Sequence, residues 1–157
     1  MPKTLATCIA LAAFSACAAP NVQGVARFYD LSSDAIAIDG YDPVAYFREN
    51  RAVEGTDEHT YAFQQVVYRF ASKENRDAFA QDPAAFVPAW GGWCAYAVAG
   101  EGTFFADPES FIVRDGRLFL FHDSIFFDAK KAWLKNDHDV QVHNGDSYWQ
   151  RLITSKD

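Results

Sequence analysis

An α+β fold is predicted for this chain: a small antiparallel sheet of hairpins packed with short helices in a single domain. Three observations carry the prediction. Residues 111–121 hold Asp115-Gly116 between two apolar runs, and Asp-Gly in that setting is a strong short-range hairpin signal. Tyr61-Ala62-Phe63 and Val66-Val67-Tyr68-Arg69-Phe70 read as two further strands around Gln64-Gln65, the second alternating as a half-wet sheet does. Asp-Pro recurs at Asp42-Pro43, Asp82-Pro83 and Asp107-Pro108, where Asp can cap a helix and Pro suits its first position.

In chain order, the first segment is a leader. Lys3 is the only charge before Arg27, residues 5–14 are mostly apolar, and Ser15, Ala16, Cys17, Ala18 and Ala19 follow. This is the order of a secretion signal, and the run falls short of the ~20 apolar residues a bilayer span needs. Two endings fit. Ala16-Cys17-Ala18 suits cleavage after Ala18, giving a signal of residues 1–18. Phe14-Ser15-Ala16-Cys17 resembles a lipobox, giving a lipoprotein signal of 1–16 with Cys17 as an N-terminal lipid anchor. The mature protein is thus expected to be exported, periplasmic, and free of transmembrane spans. Residues 19–34 read as an arm, and 35–153 as the domain.

Within the domain, residues 35–38 read as a short strand ended by Asp39-Gly40. A helix is expected from Asp42-Pro43 to about Glu49, and another from Ser72 through Asn75, Arg76 and Phe79. Gly91-Gly92 breaks the chain before a helix at 93–99. Asp123 is placed to cap a helix reaching Leu134, and a last helix is expected from near Asp146 to Leu152. Gly145 and Asn144 favour a loop before it, around Asp137-His138-Asp139 and His143. His59 falls in a charged, exposed turn. Aromatic residues make up 16 % of the chain, so the core draws on large rings. The net charge is −7, which argues against nucleic acid and against electrostatic docking to anionic lipid.

Cys94 is the residue that most asks for an explanation. The other cysteines, Cys8 and Cys17, lie in the leader, so an exported protein keeps one thiol where pairing or absence is usual. A thiol in the first turn of a helix would feel the helix dipole and free N–H groups, which favour thiolate. Cysteine with histidine suits copper or zinc. His122, at the end of the apolar run 118–121, is the best-placed partner. Met1 is the only methionine, which leaves no thioether ligand in the mature chain. Cys94 can equally be a small core residue packed by Trp90, Trp93 and Tyr96, with those rings, Tyr41 and Asp39 walling a ligand pocket. For Asp39, Tyr41 and Asp42 the plainer reading is a turn, a half-buried ring and a helix cap. A thiol enzyme or redox sensor is a third reading. No Cys-x-x-Cys or phosphate-binding glycine loop is present.

Together, Asp39-Gly40-Tyr41-Asp42-Pro43-Val44-Ala45-Tyr46-Phe47, Tyr68-Arg69-Phe70-Ala71-Ser72 with Asn75 and Phe79, Gly91-Gly92-Trp93-Cys94-Ala95-Tyr96-Ala97-Val98, and Asp107-Pro108 before the Asp115-Gly116 hairpin resemble the exported single-cysteine proteins that carry a YHS domain. The resemblance covers residues 35–152. It implies an α+β domain and no settled activity, though the broader group is linked to heavy-metal handling, including copper. Shorter relatives hold metal with several cysteines; here one remains, and Asn75 sits where a second could be. The function expected is binding of a transition metal, copper before zinc, through Cys94, more as a binding protein than an enzyme. A module for another small ligand or a protein is the alternative.

Overall fold

A computed structural model describes residues 25–32 and 34–155. The leader and most of the arm lie outside them. Two antiparallel hairpins and five α-helices make up an α+β domain. The first hairpin joins β1 (Thr56–Phe63) to β2 (Val66–Phe70); the second joins β3 (Asp107–Arg114) to β4 (Arg117–Phe121). The helices are α1 (Pro43–Glu49), α2 (Lys73–Gln81), α3 (Ala95–Ala99), α4 (Ala129–Trp133) and α5 (His138–Thr154).

β4 organises the interior. Side chains alternate across a strand, so Leu118 and Leu120 enter one apolar cluster while Phe119 and Phe121 enter the other. The first cluster gathers Val44, Tyr46, Tyr68, Phe70 and Phe79 from α1, β2 and α2. The second holds Trp90, Cys94, Ala95, Val98 and Trp133. Burying each large side chain contributes about 1.5–3 kcal/mol before entropy is counted. Parallel bridges from Pro88 to Leu118 and from Cys94 to Leu120 lay the chain before α3 along β4.

Local chemistry explains the elements. Asp42 caps α1 with Oδ1, which accepts from the Val44 and Ala45 backbone N–H groups at 2.8 and 3.3 Å. Its Oδ2 accepts from Ala71 N–H at 2.9 Å and Asn75 Nδ2 at 2.7 Å. This one carboxylate, 0 % exposed, ties α1 to the β2–α2 junction. Ser72 caps α2 through Asn75 N–H, as expected. Gln64 and Gln65 both take left-handed φ, 52° and 67°, and close the β1–β2 turn without glycine.

Six expectations need correction. Residues 35–38 form no strand: Ile36 and Ala37 make isolated bridges, and Ile38, Asp39 and Gly40 turn with φ of 53°, 48° and 88°, which ends any extended run. Asp107-Pro108 opens β3 and no helical turn, because Asp107 Oδ1 accepts from Glu109 N–H and Pro108 O accepts from the Tyr46 hydroxyl. Helix α3 begins at Ala95, with Cys94 as the residue before it. Asp128 caps α4 by accepting from Lys131 N–H, and Asp123 instead bridges back to Asp128. α5 starts eight residues earlier than expected, capped by Asp137. Its Gly145 is a socket: a Cβ there would lie 2.5 Å from the Trp90 ring. His59 lies on β1 and is half-buried.

Candidate functional site

Cys94 and His122 line the same cavity, about 540 Å³ in volume, with Tyr96, Ala97, Phe104 and Phe127 and the loop around 100–103. The topology brings them together. Cys94 is bridged to Leu120, its N–H donates to Phe104 O at 2.9 Å, and His122 follows two residues after Leu120. Cys94 is 2 % exposed, and His122 is half-buried. The His122 ring stands edge-on to Phe104 and Phe105, at centroid separations of 4.8 and 6.4 Å. The far wall is Tyr96 against Phe127 at 5.7 Å.

Neither the Cys94 thiol nor the His122 ring has a hydrogen-bond partner among the described residues. The walls are otherwise mostly apolar, with the hydroxyls of Tyr96 and Thr103 the other polar side-chain groups, so the cavity offers one sulfur and one imidazole among few competing polar groups. α3 is five residues long and sums few aligned peptide dipoles, so the field expected at its N-terminus is small. Gly91 shapes the approach to Cys94. Its φ of 67° is left-handed, and a Cβ there would lie 2.7 Å from the Tyr29 ring.

The remaining pocket residues named from sequence are dispersed. Of Trp90, Trp93, Tyr96, Tyr41 and Asp39, only Tyr96 lines this cavity. Trp90 is buried in the apolar cluster that holds Cys94, its indole donating to Asp146 Oδ1 at 2.8 Å with the Arg117 guanidinium over its ring. The Trp93 indole donates to Phe28 O, pinning the arm. Tyr41 reaches Glu109 Oε1 at 3.5 Å. Asp39 makes the turn and borders a small crevice with Asp30, whose carboxyl is pushed up by partial burial, against the bond from Ala106 N–H, and by the charge on Asp39. Sequence reasoning missed Phe104 and Phe127. Their signal is visible in retrospect: Phe104-Phe105 and Ile125-Phe126-Phe127 are large apolar runs outside any strand or helix.

No protein-family model, curated protein or solved structure matches the chain. The site must therefore be read from its own chemistry.

A second cluster holds Asp115, His138 and Asp139, whose ligand atoms lie within 4.8 Å of one another. It is poorly suited to a metal. The Trp133 indole N–H donates to His138 Nδ1 at 3.2 Å, and an indole can only donate. Nδ1 therefore presents its lone pair and neutral His138 carries its proton on Nε2, the atom facing Asp115 Oδ2 at 3.8 Å. A cation between the carboxylates would meet an N–H. Burial first, and then the Arg114 charge, push the His138 pKa down. The structural role is a half-buried residue whose ring packs on Trp133 and Phe119. Asp139 and His143, four residues apart, lie on α5, and both are exposed.

Proposed function

We propose that the chain is an exported, periplasmic YHS-type domain that binds a soft transition-metal ion, copper(I) before zinc, through Cys94 Sγ and the His122 imidazole. The observation that supports this most is the convergence of these two groups, neither with a protein partner, on one apolar cavity. Thiolate and imidazole are the donors copper(I) and zinc favour. Charge and ligand number favour copper(I). Thiolate, neutral imidazole and a monovalent ion sum to zero charge, which an apolar wall tolerates. Zinc with one thiolate would leave a positive charge and usually takes four ligands. Among the described residues the cavity wall carries no carboxylate or amide side chain to orient His122 as a base, which favours binding over catalysis.

The test is a copper(I) titration against a competing chelator, with the wild type, Cys94→Ser and His122→Phe. Loss of a ligand should exceed the ~10–100-fold cost of losing an outer-shell partner. Cys94→Ser retaining full affinity would sink the proposal. A second reading, a site for a small apolar ligand, is supported by the volume, which falls within the ~300–1,000 Å³ of ligand pockets. Binding of an apolar fluorophore that survives Cys94→Ser and is competed by neither metal would favour it.

A further inference from the structure

The segment between Asp123 and Asp128 is a small finger. Asp123 and Asp128 form an antiparallel bridge. Inside it, Ser124 N–H donates to Phe127 O at 3.1 Å and Phe127 N–H donates to Ser124 O at 3.3 Å. The Ser124 hydroxyl accepts a further bond from Phe127 N–H. The two residues at the tip are Ile125 and Phe126, 93 % and 91 % exposed. Tight turns are ordinarily tipped by Gly, Asn or Asp, which tolerate the geometry and the water. Here the turn is closed by hydrogen bonds between Ser124 and Phe127 and presents two large apolar side chains at its tip. Phe105 and Leu134 are exposed as well.

Lysines stand behind the tip, interleaved with Asp123, Asp128, Asp137 and Asp139. Although the whole chain carries −7, Lys130, Lys131 and Lys135 follow the finger within nine residues of Phe126. Lys131 is 79 % exposed and pairs with Asp128 at 3.1 Å; Lys130 and Lys135 have no ion pair among the described residues. An apolar tip backed by lysines is the arrangement that enters a bilayer interface, rings toward the acyl chains and ammonium groups toward phosphates. On the lipoprotein reading Cys17 lies eight residues before Val25, a reach of at most about 28 Å, which would keep the domain beside the membrane.

We infer that the Ile125-Phe126 finger is a membrane-contact site, with a lipid bilayer as its occupant. The expectation that acidity disfavours electrostatic docking to anionic lipid concerns the chain's net charge; the inference rests first on the two apolar side chains of the tip. The inference does not depend on the metal reading.

The test is partition of the full chain onto vesicles of phosphatidylcholine and of phosphatidylcholine with phosphatidylglycerol. Wild type is compared with Ile125→Ser/Phe126→Ser, which carries the same N-terminus. The double variant should partition at least ~30-fold more weakly onto both vesicle types. Lys130→Gln and Lys135→Gln should each cost about fivefold on the anionic vesicles alone. Unchanged far-UV circular dichroism and unfolding midpoint would show that the exposed substitutions leave the fold intact. Equal partition of wild type and double variant would overturn the inference. So would sedimentation showing a dimer that the double variant abolishes without any vesicle binding, since the occupant would then be a second copy.

Discussion

Asp42→Asn is the sharpest probe of what holds this domain together. The substitution keeps shape and one oxygen and removes the other. With the oxygen kept toward Val44 and Ala45, the new amide nitrogen faces Ala71 N–H and Asn75 Nδ2, donors that sat 2.9 and 2.7 Å from Oδ2. Asn75 cannot turn its own oxygen inward without loss, because Oδ1 accepts from Arg48 Nη1 at 3.0 Å. Two bonds to a charged acceptor are lost, each worth about 1.5–3 kcal/mol, and relief from burying the charge offsets part of that. A net cost of about 3 kcal/mol is expected, a large share of the roughly 5–15 kcal/mol that stabilises a domain. Urea unfolding followed by tryptophan fluorescence measures it, with a midpoint falling by about 1–2 M at unchanged slope. Asn75→Ala made in both backgrounds apportions the coupling: the Asp42→Asn cost should shrink when Asn75 is gone. A cost below ~1 kcal/mol, or no coupling, would refute the reasoning that this carboxylate ties α1 to α2.

Gly145→Ala tests the socket in α5. Helix propensity alone predicts a gain of about 1 kcal/mol. The Trp90 ring, 2.5 Å from the added Cβ, predicts an overpacking cost of about 1–3 kcal/mol and therefore net destabilisation; a rise in unfolding midpoint would refute it. His138 should make stability pH-dependent. Its folded pKa lies below the unfolded value of about 6.5, so the neutral ring's contribution is present above that pH and is lost as pH falls below it. Asp115 and Asp139 oppose the shift, and Arg114 and Arg117 support it. Thermal melts from pH 7.5 to 5 should show a decline that His138→Gln flattens, and an identical decline in the variant would assign it elsewhere. Tyr46→Phe removes the hydroxyl that donates to Pro108 O and should cost about 1 kcal/mol in the same urea assay, with no cost if that bond contributes nothing.

The parts of the fold legible in sequence are those fixed by short-range chemistry. Asp42 with Pro43 and Ser72 with Asn75 cap helices because the capping oxygen and its N–H partner lie two or three residues apart. Asp115-Gly116 closes a hairpin for the same reason, both residues taking left-handed φ. The failures share a cause as well. Gly145 reads as a helix breaker until Trp90, 55 residues away in sequence, fills the space its side chain vacates. Asp107-Pro108 carries the same helix signal as Asp42-Pro43, yet Tyr46 claims the Pro108 carbonyl for a strand. A local pattern states a preference, and a distant partner decides.

The site follows the same rule, which is why its donors were easier to name than its walls. Cys94 and His122 stand out by residue type, and each is conspicuous without any knowledge of the fold. Trp90 and Trp93 stand next to Cys94 in sequence and looked like its wall, but both indole N–H groups are drawn off, one to Asp146 and one to Phe28. Their place is taken by Phe104 and Phe127, which line the cavity with Cys94 where the chain before α3 lies along β4. An aromatic residue with a polar handle follows its hydrogen bond, whereas phenylalanine has none to follow and fills whatever space the backbone leaves. That difference makes the cavity wall phenylalanine-rich and leaves sulfur and imidazole as its principal ligand-donor groups.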